Sequence, residues 1–121
     1  MSHPLVERRR SEQSERIRTA QEWAERLSRR LDVVAAVVFG SVARGDFNKW
    51  SDLDVLVVAR GLPEDGRERL DLLMRDAPPG LQPVGWTPGE LAARRQRRDP
   101  IARECDAVGV VVFGSLPVDA G

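Results

Sequence analysis

Residues 33–59 read VVAAVVFGSVARGDFNKWSDLDVLVVA, and this stretch decides the fold. Residues 33–39 are too few for an ordinary globular helix and rich in Val, which argues for a buried strand. Gly40-Ser41 breaks that strand. Residues 53–59 form a second, nearly continuous β-branched run, as expected of a strand covered on both faces. Asp52 and Asp54 stand at its mouth. Two residues apart on an extended chain, they project to the same side.

Two neighbouring carboxylates repel each other unless a cation lies between them, and hard divalent cations take oxygen ligands. Gly40 lets backbone approach a ligand closely. If Ser41 opens a short helix through about Arg44, its hydroxyl and the free N–H groups form a seat for phosphate. A carboxylate pair facing a phosphate seat supplies the parts needed for phosphoryl or nucleotidyl transfer.

Gly40-Ser41, ten intervening residues and then Asp52-Leu53-Asp54 match the GSx10DxD signature of the DNA polymerase β-like nucleotidyltransferase superfamily. FGSVARGD and SDLDVLVV resemble its small stand-alone members, the minimal nucleotidyltransferases, many of which are antitoxins of HEPN-type toxins. The resemblance spans roughly residues 33–113, and its specific motifs lie in the first third of that span. It implies an α/β (α+β) fold with a small mixed β-sheet and flanking helices. It further implies Mg2+ held by Asp52 and Asp54, and a nucleoside triphosphate, expected to be ATP, held by Gly40, Ser41 and Arg44. The nucleoside monophosphate would pass to an acceptor hydroxyl, such as a tyrosine of a HEPN-type toxin. The chain has no Tyr and cannot be its own tyrosine acceptor.

Active members carry a third carboxylate on the strand expected here at 81–86. Alignment through Thr87-Pro88 puts Gln82 or Val84 at that position. Neither is acidic, and Gln82 cannot act as a base at neutral pH. The alternative function is therefore a non-catalytic nucleotide- or toxin-binding antitoxin module.

Before the central stretch, Ile17, Ala20, Ala24, Leu27 and Leu31 recur at three- and four-residue intervals, which predicts one helix over 5–31. Trp23 beside that stripe reads as a core anchor. Arg8, Arg9 and Arg10 stand among Glu7, Glu12 and Glu15 and read as a solvated helix face. His3 is expected in a frayed end. Within 44–51, Arg44 either contacts phosphate or pairs with Asp46. Trp50 is expected to cap its loop against the core rather than wall a nucleotide pocket, and Ser51 to cap the turn into the second strand.

After the central stretch, residues 64–76 look helical with Leu70, Leu73 and Met74 inward. Residues 77–80, APPG, stop that helix. Thr87 is the expected N-cap of the next helix, Pro88 its first residue, and Glu90 the partner in a capping box. Arg94, Arg95, Arg97 and Arg98 suit the C-terminal end of that helix, an acidic partner or RNA being the alternative reading of the same run. A short helix from Asp99-Pro100 through Cys105 and a fourth strand at 108–113 complete the pattern.

A single domain is expected from 121 residues. Its organisation would be an N-terminal helix over 1–32, a nucleotidyltransferase domain over 33–114 and a flexible tail over 115–121. Net charge is zero, which favours neither direct nucleic-acid binding nor a membrane partner. One Cys excludes an internal disulfide and fits a reducing compartment. With no apolar run of membrane-spanning length, a cytoplasmic location is expected.

Overall fold

A computed structural model describes residues 3–118. Four strands form one sheet in the order β3-β2-β1-β4. They are β1 (Asp32–Phe39), β2 (Leu53–Arg60), β3 (Leu81–Trp86) and β4 (Val110–Gly114). β1 pairs antiparallel with β2 and β4, while β2 and β3 run parallel. The helices are α1 (Pro4–Ser28), α2 (Gly40–Arg44), α3 (Gly66–Met74), α4 (Pro88–Gln96) and α5 (Pro100–Val108). This is the mixed sheet with flanking helices of a nucleotidyltransferase fold.

Strand alternation divides the core in two. Ala36, Val38, Val55, Val57, Ala59 and Leu81 meet α1 through Ala20, Trp23, Ala24 and Leu27, and α3 through Leu73. Ala35, Val37, Phe39, Leu56, Val58 and Trp86 meet Leu91 of α4 and Ala102 and Cys105 of α5. Because β1 and β2 are covered on both faces, they lack the polar alternation of a half-exposed strand. Trp23 is fully buried, as its place beside the stripe predicts. Its indole N–H finds no acceptor among the described residues, a cost of about 1–3 kcal/mol offset by burial of the ring.

Several local expectations shift. α1 starts earlier and ends earlier than 5–31, because the His3 imidazole accepts the Leu5 N–H as an N-cap and the chain must turn before β1 begins at Asp32. His3 is thus engaged rather than frayed. In α3 only Leu73 is buried. Leu70 and Met74 are 48% and 40% exposed, since a nine-residue helix at the sheet margin buries one narrow stripe. β4 begins two residues late because α5 runs on to Val108, where the Gly109 N–H bonds Cys105 O. Of the expected tail, Leu116 packs on the α4–α5 core and Pro117 O accepts from Arg95 at 2.5 Å; 119–121 lie outside the described residues. The Thr87–Glu90 capping box forms as expected, and Glu90 also takes a 2.7 Å bond from Arg69.

Candidate active site

Phe39 and Asp54 are direct partners across the β1–β2 ladder, so the turn leaving β1 is placed over the mouth of β2. Gly40 enters that turn at φ +76°, and a Cβ there would collide with Asp54 Oδ2. Only glycine lets this carboxylate lie against the turn. Gly40 is the first residue of the five-residue α2, which is closed by Gly45 at φ +88° with its N–H on Ser41 O at 2.9 Å. The helix thus begins one residue before the Ser41 start the sequence predicts, and the Asp54 carboxylate lies against that first residue.

Asp54 is partly buried and Asp52 exposed. Burial pushes the Asp54 carboxyl up from its ordinary value, Asp52 and then Glu104 add to the rise, and Arg44 opposes it. Added positive charge would relieve that strain. Among the described residues no group of three or more His, Cys, Asp or Glu side chains gathers as a metal cage. The donor set still fits magnesium, which is usually bound through one or two carboxylates plus substrate phosphates.

Arg44 pairs with Asp46 at 3.3 Å and with Glu104 of α5. Both carboxylates favour its charged form. The Arg44–Asp46 pair is one of the two sequence readings, and Glu104 is an added partner from the far end of the chain. Gln82 is paired with Asp54 in the β2–β3 register. That register, rather than the one selecting Val84, sets the residue beside the carboxylate pair.

Sequence reading missed what holds the loop between α2 and β2. Arg9 Nη1 donates to Phe47 O at 2.6 Å and Gly45 O at 3.2 Å. Gln13 Nε2 donates to Val42 O at 2.7 Å. Arg16 donates to Ser51 O at 2.6 Å, Lys49 O at 3.2 Å and Asn48 O at 3.4 Å. The Phe47 ring lies 5.5 Å from the Arg9 guanidinium and 5.3 Å from that of Arg16, within cation–π range. Arg9 is therefore not merely part of a solvated face. The spacing of Arg9, Gln13 and Arg16, four and then three residues, was the available signal for a polar face turned toward the loop.

Ser51 Oγ accepts the Asn48 N–H at 2.9 Å, as a turn cap should. Trp50 overturns its expectation. It is 80% exposed, because Arg16 pins the backbone on either side and leaves the ring outside. Its ring lies 4.9 Å from Lys49 Nζ and helps line a cavity of about 450 Å³ that reaches Asp52.

Residues 20–77 match the family model described as a nucleotidyltransferase domain. That match contains Gly40, Ser41, Arg44, Asp52 and Asp54 and stops before β3. The fold is similar to the crystal structure of a candidate nucleotidyltransferase from Sulfolobus solfataricus. That likeness has a TM-score of 0.65 and 22% identity, over 85% of this chain and 84% of that one. It is also similar to a chain of a toxin–antitoxin structure solved with AMP-PNP, at TM-score 0.56 and 20% identity, over 78% of this chain and 73% of that one. No significant match exists among curated proteins. The family match spans just under half of the chain, and the likeness to the two solved structures is one of fold.

Proposed function

We propose that the protein is a minimal nucleotidyltransferase that moves a nucleoside monophosphate from a magnesium-bound triphosphate, ATP by preference, to an acceptor hydroxyl. The observation that carries this reading is Asp54 lying against Gly40 at the head of α2, with Asp52 two residues away. Asp52 and Asp54 would hold the metal, which when bound would neutralise charge on the reacting phosphate. Gly40, Ser41 and Arg44 would hold the triphosphate. To reach it, Arg44 exchanges Asp46 and Glu104 for phosphate oxygens; these exposed pairs cost little to break, and phosphate suits the same planar fork. The acceptor oxygen forms its bond to the α-phosphorus as the bond from that phosphorus to pyrophosphate breaks, and the hydroxyl proton passes to water.

Gln82 beside Asp54 bears on the choice of acceptor. An amide cannot remove the hydroxyl proton, so the reaction favours an acceptor acidic enough to need little help. A phenol, with a pKa near 10, meets that condition. The likeness to a toxin–antitoxin structure with AMP-PNP supports a toxin protein as the partner, and the motif resemblance extends the reading to a tyrosine of a HEPN-type toxin as the target. The same Gln82 favours a second reading, in which the chain binds Mg-nucleotide and a partner without turnover.

Calorimetry with Mg-ATP tests the shared part. Wild-type protein should bind and Asp54→Ala should not, with the mutant's circular dichroism unchanged. Equal binding by the mutant would remove the carboxylates from the site.

A further inference from the structure

Asp52 is exposed and ends a stretch, residues 46–52, that forms neither helix nor strand. A carboxylate so placed beside a second one would swing away from it by like-charge repulsion. Both peptide units that meet at its Cα are nevertheless tied down. On the leading side, Arg16 Nη1 donates to Ser51 O at 2.6 Å. On the trailing side, the Leu53 N–H donates to Gly80 O at 2.8 Å. Each peptide unit is rigid and planar, so these two bonds hold φ and ψ of Asp52 and aim its side chain. We propose that Arg16 is the positioning residue of the metal site, presetting the Asp52 carboxylate beside Asp54 for one divalent cation. This rests on the reading of Asp52 and Asp54 as metal ligands and adds what holds the pair in place.

Arg16 works from the far side of the sheet. Leu53 packs in the core beneath α1, and Asp54, the next residue along the strand, points to the opposite face. The hydrogen bonds of Arg16 go to backbone carbonyls, so it acts on Asp52 through the peptide. Arg16 is itself held. Its guanidinium lies 5.3 Å from the centre of the Phe47 ring, which is buried. It also donates to Lys49 O at 3.2 Å and Asn48 O at 3.4 Å. A rigid fork with five donors suits three carbonyls at once, whereas an ammonium is a single point on a flexible stem. Arg9 grips the same loop farther back, at Gly45 O and Phe47 O, and holds neither peptide of Asp52. It is the internal control. Charge and position predict opposite signs here. Arg16 lines the same cavity as Asp52, so removing its charge would by Coulomb attraction alone strengthen the binding of a divalent ion. Loss of positioning weakens it.

The test is calorimetry of ATP binding, once with Mg2+ and once with EDTA. The ratio of the two Kd values is the enhancement that the metal adds. Arg16→Met should cut that enhancement by about tenfold, the usual loss when a partner that orients a metal ligand is removed, and should leave the metal-free Kd unchanged. Arg16→Lys keeps the charge and one bond, and its enhancement should fall between Arg16→Met and wild type. Arg9→Met should lower the melting temperature as Arg16→Met does, yet keep the wild-type enhancement. An unchanged or larger enhancement in either folded Arg16 variant would overturn the proposal and leave the metal site standing. Equal losses in Arg9→Met and Arg16→Met would also overturn it, by reducing the effect to loop stability. No enhancement in the wild type would end the metal-site reading and the proposal together.

Discussion

Gln82 stands opposite Asp54 in the parallel β2–β3 ladder, on the sheet face that also carries Leu56, Val58, Val84 and Trp86. An acidic side chain there would reach the same space as the Asp54 carboxylate. Gln82→Glu is therefore expected to raise the transfer rate to a tyrosine acceptor by about 10²-fold, the lower end of what a positioned base contributes. Gln82 is exposed, so the variant should fold normally. A labelling time course checks this. An unchanged rate would mean that proton removal does not limit the reaction.

Gly40→Ala combines two penalties: a left-handed backbone at φ +76° and a collision with Asp54. The first alone is worth about 1–2 kcal/mol. Urea denaturation should show at least that loss, and Mg-ATP binding should disappear because Asp54 is displaced. Gly61, also at positive φ but with no atom within 4 Å of an added Cβ, is the control. Its alanine variant should lose a similar stability and keep binding.

The raised Asp54 carboxyl has a definite sign. The folded state holds this proton more tightly than the unfolded chain, so the group's contribution to stability is present below the ordinary carboxylate pKa. It is lost as pH rises through the raised value. Asp54→Asn should therefore gain melting temperature over the wild type at neutral pH and lose that advantage in acid. Magnesium with nucleotide should shrink the neutral-pH gap by stabilising only the wild type. Equal differences at both pH values would show that Asp54 carries no strain.

Burial, followed by Asp106 and Glu104, pushes the Cys105 thiol up to about 12. At neutral pH it stays protonated and covered, and thiolate is the reactive form. A thiol reagent should modify Cys105 only after denaturant unfolds the α4–α5 side of the core. Rapid labelling of native protein would contradict the packing of α5.

Much of this fold is legible because local chemistry and tertiary environment agree. The Val-rich runs of β1 and β2, Gly40-Ser41, and the Thr87–Glu90 box each state their structure within a few residues. What stayed hidden depends on distant partners. Glu104 meets Arg44 across 60 positions, and Arg16 reaches loop carbonyls more than 30 positions away. Trp50 misleads because an aromatic ring usually goes inward, whereas here the pinned backbone turns it out. The choice between Gln82 and Val84 needed the strand register, which β3 alone does not specify.

The central claim is transfer itself. The direct measurement is labelling of a tyrosine-containing polypeptide from α-phosphate-labelled ATP with magnesium, comparing wild type with Asp52→Asn. Label on tyrosine, lost in the variant, is the expected result. Tight Mg-ATP binding with no label on any acceptor, from any of the four nucleotides, would contradict the account and leave a nucleotide-binding module.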